Sequence, residues 1–259
     1  MSTNYYVGNG VYRYLAGCKE RDNFFWTSGN LWMLVYGDGN FEPRVLTVAS
    51  ASRLGQSTSV EEKNAVREAR RITEGTDVPV NFIRFDPKKT MATVRYWEPG
   101  MRHIQEISSV SLKERLMAYG LTMNERTAHK SINDRSSSPY HDWQRNNMGD
   151  SVVAADIDLV RHDGNNPIEI IELKRSYIAI DKWEPYKQDY RNFILLSKLA
   201  EKRNINFYIV YNRRTKQPFF DDVSRLKIFE FDHRMPICCR FSCYKTIERF
   251  AENTAKENG

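Results

Sequence analysis

Residues 155–176 read ADIDLVRHDGNNPIEIIELKRS, and the fold turns on where this stretch puts its charges. Side chains alternate faces along a strand. In VVAADIDLV (152–160), Val153, Ala155, Ile157 and Leu159 share one face, and Asp156 and Asp158 share the other. In IEIIELK (168–174), Ile171 and Leu173 point one way, and Ile170, Glu172 and Lys174 the other. The linker RHDGNNP is short and rich in Gly, Asn and Pro, so the two runs are expected to pair as an antiparallel hairpin. That pairing gathers Asp158, Glu172 and Lys174 on one surface.

Two carboxylates so close repel each other, and burying them unpaired costs several kcal/mol or raises their pKa until one is protonated. A divalent cation removes the conflict. Carboxylates are hard oxygen ligands, and Mg²⁺ is typically held by one or two of them together with water and substrate phosphate. A lysine beside the ion would orient and help deprotonate the attacking water, or stabilise the charge building on phosphorus. The plainer explanation is a salt bridge of Glu172 with Lys174 or Arg175, with the aspartates exposed on an open sheet. Three features weigh against it: continuously apolar strands that suggest a sheet covered on both sides, an acid one hairpin before the E-x-K, and a helix followed by a buried strand directly afterwards.

This combination, D-I-D-L-V, a turn, I-I-E-L-K, an amphipathic helix and a closing strand, resembles the PD-(D/E)XK nuclease superfamily over roughly residues 110–212. The resemblance implies an α/β protein with a restriction-endonuclease-like αβββαβ core, a mixed central sheet flanked by helices. It places the acid on the second core strand and E-x-K on the third. It further implies that Asp158, Glu172 and the Leu173 carbonyl hold Mg²⁺ (or Mn²⁺) and that Lys174 serves catalysis. Some branches add a glutamine on the following helix, matched by Gln188, and an acid from the first helix, matched by Glu114 with Glu125 behind it. No proline precedes the acid, which leaves Asp156 beside Asp158 as a ligand candidate; Asp158 is favoured by its distance to Glu172. No strand-like run marks the first core strand between 122 and 150.

The 259 residues are enough for one large domain or two modest ones. A chain of this length buries about three quarters of its unfolded surface and needs no disulfide or structural metal to fold. LWMLVYG and RVLTVAS, around DGNFEP, read as a hairpin. Residues 58–74 carry the Ser and early acids of a helix start and a stripe of Val66, Ala69 and Ile72. Residues 78–85 and 91–97 read as strands, and 110–121 as a helix capped by Ser111. The polar stretch 122–150 reads as a loop, with Ser138-Pro139 favoured as a helix start that anchors Tyr140, His141 and Trp143 rather than as a substrate contact. Tyr186, Tyr190, Phe193, Leu196 and Ala200 make one face of a helix within 184–204, followed by strands at 205–212 and 225–232 and a helix at 244–253. No internal repeat is visible. The expected organisation is a smaller α+β unit over 1–105, for substrate or partner binding, and a nuclease-like domain over 106–259.

The net charge of +6 suits a polyanionic partner. The clusters Arg67, Arg70, Arg71 and Arg213, Arg214, Lys216 read as solvated surface at least as readily as backbone-tracking patches. Cys238, Cys239 and Cys243 lack a second C-x-x-C or a His pair, so with Cys18 they read as reduced thiols rather than a zinc site. No apolar signal core or run of about 18 apolar residues stands out. The expectation is a cytoplasmic, metal-dependent nuclease acting on nucleic acid, with DNA favoured and self-association into a homodimer open. The alternatives are an RNA-cleaving relative of the same fold, or the same fold with a dead site that binds nucleic acid or protein.

Overall fold

The structure, a computed structural model, describes residues 9–27, 29–124 and 138–252. In chain order the elements are α1 (Gly10–Gly17), β1 (Phe24–Phe25), β2 (Leu31–Gly37), β3 (Pro43–Ala51), α2 (Val60–Thr73), β4 (Val80–Phe85), β5 (Thr93–Trp97), β6 (Gln105–Ser108) and α3 (Ser109–Ala118). There follow α4 (Pro139–Asn147), β7 (Val153–Asp156), β8 (Leu159–Asp163), β9 (Asn166–Ser176), α5 (Tyr190–Arg203), β10 (Asn206–Lys216), β11 (Phe219–Phe231), β12 (Cys239–Lys245) and α6 (Ile247–Glu252). They form two compact units. The first spans Asn30–Asp156, and the second joins residues 9–27 to residues 157–252. The sequence reading divided the chain at 105/106. The compact units part at 156/157 because β7 pairs with β2 and so closes the first sheet.

The first unit holds a mixed sheet in the order β7-β2-β3-β4-β5-β6, with β3 and β4 parallel and every other neighbouring pair antiparallel. The parallel pair needs a crossover, and α2 supplies it. Helix α2 starts at a capping box: Glu62 N donates to Ser59 Oγ at 3.1 Å and Ser59 N to Glu62 Oε2 at 2.8 Å. Glu62 then points into the sheet, where it accepts from Ser50 Oγ (2.6 Å) and from Arg84 Nε (2.9 Å) and Nη2 (2.5 Å). On the other face Leu112 and Leu116 of α3, and Tyr140 and Trp143 of α4, pack with Leu34, Tyr36, Ile83 and Phe85.

The second unit holds a sheet in the order β1-β8-β9-β10-β11-β12. Here β9 and β10 are parallel across α5, and every other neighbouring pair is antiparallel. Val11, Tyr12 and Leu15 of α1, with Ile247 and Phe250 of α6, cover the face that carries Leu159, Ile171, Leu173 and Val210. Gly10 permits the close docking of α1 on β11, since a Cβ there would stand 2.9 Å from both Asp221 Cβ and Val223 Cγ1. The two sheets therefore share strand order, strand directions and a crossover helix of 14 residues.

The structure departs from the sequence reading at several points. The run 152–160 is two strands in two sheets, with Asp156 ending β7 opposite Leu34 and Leu159 opening β8 opposite Ile171. The hairpin turn is shorter than RHDGNNP: Asp163 already pairs with Asn166, and Gly164 (φ 59°) with Asn165 makes the turn. Strands β6 and β12 and the elements α1 and β1 were not anticipated; β1 has two residues and β12 is largely exposed, so neither carries an apolar pattern. Ser108, not Ser111, caps α3, and Tyr244 and Lys245 belong to β12 ahead of the last helix. Ser138 and Pro139 do open α4, with Tyr140 buried. The repeated topology has no visible counterpart in the residues.

Glu62 and Arg84 are both buried, and removing one partner of such a pair strands the other charge. Glu62→Ala is expected to destabilise the protein by about 3–5 kcal/mol. Chemical denaturation read by a first-unit tryptophan such as Trp32 checks this; a change below about 1 kcal/mol would mean that water replaces the carboxylate at no cost.

Candidate active site

Asp158, Glu172 and Lys174 come together in the second unit, on the α5 face of its sheet. The register explains why. Leu159 pairs with Ile171, Val160 with Ile170 and Arg161 with Glu169. Asp158 stands just before β8, one residue beyond the Leu159–Ile171 pair, and Glu172 follows Ile171 on β9. Leu159 and Ile171 point into the apolar face under α1 and α6. Alternation therefore turns Asp158, Glu172 and Lys174 the other way. A one-residue slip would turn Leu159 and Ile171 away from α1 and α6 and drive charged neighbours into that apolar face, so the register is firmly specified.

Both carboxylates are buried, with Asp158 at 8% and Glu172 at 6% exposure. Asp158 Oδ2 accepts from the Leu173 amide at 2.8 Å, and the Asp158 carbonyl accepts from Tyr12 Oη at 2.9 Å. Leu173 thus takes part in the site through its amide. The Lys174 ammonium lies 2.8 Å from Glu172 Oε1 and 3.7 Å from Asp189 Oδ2, with its Nζ 5.4 Å from the Phe193 ring centroid. Burial alone would depress the Lys174 pKa, but Glu172, Asp189 and Asp158 outweigh it and hold the pKa well above the ordinary lysine value.

Asp189 is held over Lys174 by the strap between β9 and α5. Trp183 in that strap is buried and stacks on Tyr211 of β10, with ring centroids 4.2 Å apart and planes 2° from parallel. Tyr211 Oη donates to the Ile178 carbonyl at 2.6 Å. The buried Lys227 ammonium donates to the Trp183 carbonyl and to Glu184 Oε1, both at 2.7 Å. The strap ends in the 3₁₀ turn Lys187–Asp189, and Asp189 is the residue that precedes α5.

The next residue along β9, Arg175, fixes the strand end. Arg175 Nη1 reaches Asp221 Oδ2 at 2.6 Å, Arg214 Nε reaches Asp221 Oδ1 at 3.0 Å, and the Gly10 amide adds a bond of 3.0 Å. Burial opposes ionisation of Asp221, but the hydrogen bonds from Arg214 and Arg175 prevail and keep its carboxyl below the ordinary aspartate range.

The other expected site residues are placed elsewhere. Asp156 is exposed at the end of β7, in the first unit, because the chain leaves one sheet for the other between it and Asp158. Glu114 is exposed on α3, also in the first unit; the helix that covers the second unit's sheet ahead of its first strand is α1, not α3. Glu125 lies outside the described residues. Gln188 is exposed in the 3₁₀ turn, and its neighbour Asp189 is the one that meets Lys174. Sequence reasoning passed over Asp189; its signal is an acid at the residue before a helix, in YKQDY.

Arg214 turns inward to Asp221, and Lys216 Nζ lies 4.8 Å from the Tyr177 ring centroid. Arg70 sits over Trp97, and Arg71 pairs with Glu68. His141 meets Trp32 edge-on within the first unit. Cys18, Cys238, Cys239 and Cys243 are free thiols. Among the described residues no group of three or more His, Cys, Asp or Glu side chains is arranged to hold a metal, and no helix is long and apolar enough to cross a membrane. Neither family models, nor curated proteins, nor solved structures yield a match to this chain.

The Asp221 carboxyl has a lowered pKa in the folded state, so its stabilising effect is present above the unfolded value of about 3.9 and is lost as pH falls through the folded value. Unfolding free energy should therefore decline below about pH 4, and Asp221→Asn should lower stability at neutral pH while flattening that decline. Urea titrations between pH 2.5 and 7 read both slopes; parallel curves for the two proteins would refute the assignment.

Proposed function

We propose that this chain is a metal-dependent nuclease of the PD-(D/E)XK type, hydrolysing phosphodiester bonds with DNA as the favoured substrate. One observation carries the reading: Asp158, directly before β8, accepts from the Leu173 amide at 2.8 Å, beside the buried Glu172, whose carboxylate meets Lys174 at 2.8 Å. Element order supports it as well. Within the second unit the chain runs α1, β1, β8, β9, α5, β10, which is helix, three strands, helix, strand. The acid stands directly before the second of those strands, and E-L-K lies on the third.

The donor set fits a hard divalent cation. Asp158 and Glu172 would hold Mg²⁺ or Mn²⁺ with the Leu173 carbonyl; two carboxylates completed by water and phosphate are the usual protein share for Mg²⁺, so a third acidic side chain is not required. When bound, the ion supplies Lewis acidity at phosphorus and lowers the pKa of a coordinated water. The chain's own groups do the rest. Glu172 and Asp158 are pre-aligned by the ladder and by the Leu173 amide. Lys174, 2.8 Å from Glu172 and 3.7 Å from Asp189, would orient and help deprotonate the nucleophilic water or meet charge on the phosphoryl oxygens. The net charge of +6 favours a polyanionic substrate.

One observation favours a second reading, a non-catalytic nucleic-acid or protein-binding module of the same topology: Lys174 is already paired with Glu172 at 2.8 Å, which is also what a purely structural ion pair does. Titration with Mn²⁺ separates the two. Under the nuclease reading Mn²⁺ at about 100 times its Kd stabilises the chain by about 2.7 kcal/mol. Glu172→Ala abolishes that gain, and Asp158→Ala, Glu172→Ala and Lys174→Ala each lose cleavage while keeping native circular dichroism. Parallel digestion of DNA and RNA reports the substrate class. Undiminished cleavage in all three variants would defeat the nuclease reading, and a metal-independent Tm would point to the binding module.

A further inference from the structure

The two units are copies of one topology, and their chain order is repeated too. Residues 10–118 run helix, three strands, helix, three strands, helix, and residues 139–252 run the same way. Each copy lends its first helix and strand to the other sheet: α1 and β1 belong to the second unit, α4 and β7 to the first. The helix between the parallel strands covers one face in both, and the two end helices cover the other.

This correspondence locates the first unit's counterpart of the candidate site, on the α2 face of its sheet. Ser50 and Arg84 lie on that face, since both bond to Glu62 of α2. Alternation and register then give three cross-strand rows there: Leu31, Ser50 and Arg84; Met33, Val48 and Phe82; Val35, Leu46 and Val80. The matching rows of the second unit contain Glu172 beside Ile209, with Asp158 just before β8, and Val160, Ile170 and Phe207. Whichever rows are superposed, β2 and β3 offer no carboxylate to this face of the first unit. Two buried acids come from α2: Glu62, engaged by Arg84 through both oxygens with Ser50 and the Ser59 amide as further donors, and Glu68, paired with Arg71 at 3.4 Å.

We propose that the chain is an internal duplication with a single metal-binding and catalytic centre, the first unit having exchanged its acid pair for the closed Glu62–Arg84 ion pair. This rests on the nuclease reading of the second unit and adds that the first unit contributes no site. One chain then cuts one strand per encounter, and a double-strand break takes a second chain or a second encounter.

Mn²⁺ binding read by electron paramagnetic resonance tests this on the full chain, with Asp158→Ala/Glu172→Ala as the comparison. The expected result is specific binding to the wild type and its complete loss in the double variant. Specific Mn²⁺ retained by a folded double variant, and lost when Glu62→Gln is added, would overturn the single-site inference and leave the second unit's site intact. A wild type that binds no Mn²⁺ would overturn the nuclease reading and the inference together. On supercoiled plasmid at substoichiometric, monomeric enzyme, nicked circles should accumulate before linear DNA. Linear product without a nicked intermediate would contradict a single centre.

Discussion

Leu159 and Ile171 face each other across β8 and β9, and both are buried against α1 and α6. Their burial fixes the register of the hairpin, and the two-residue period of a strand does the rest. Glu172, the residue after Ile171, turns to the opposite face, and Asp158 stands directly before Leu159 with its carboxylate on the Leu173 amide. The acids are thus placed together by the apolar residues beside them. Keeping charge at such a position demands compensation, and the fold supplies it in layers: the Leu173 amide to Asp158, the Lys174 ammonium to Glu172, and Asp189 closing on Lys174.

The surroundings hold this arrangement rigid. The Trp183–Tyr211 stack and the Lys227 ammonium pin the strap that carries Asp189, so its placement follows from packed rings and hydrogen bonds. One residue past Lys174 on β9, Arg175 meets Asp221, which also collects Arg214 and the Gly10 amide and so ties β9, β10, β11 and the start of α1 into one polar knot. Under the proposed nuclease reading, groups held this firmly would be aligned on a reacting phosphate, where small displacements are costly.

The sequence was most readable where local pattern and tertiary role agree. The hairpin at β2–β3, the capped helix α2, the helix start at Ser138-Pro139 and an antiparallel hairpin joining Leu159–Asp163 to the E-L-K strand all followed from periodicity and capping. What stayed hidden was decided far along the chain. Nothing local in VVAADIDLV announces that it serves two sheets, because each half is an acceptable strand by itself; this is why Asp156 looked like a ligand candidate and is instead exposed on β7. The first helix and strand of the core were sought just upstream of the acid, whereas α1 and β1 precede it by more than a hundred residues. The duplication left no trace in the residues because a covered sheet face demands apolar side chains of suitable volume and no particular identities.

Under the proposed nuclease reading, Asp158 and Glu172 hold one ion between them. A crystal soaked in Mn²⁺ and measured at the manganese absorption edge examines this. The expected result is an anomalous peak in contact with one oxygen of each carboxylate, at about 2.1–2.2 Å, with Lys174 adjacent. Side chains on opposite sides of the sheet, or manganese bound away from both carboxylates, would contradict it.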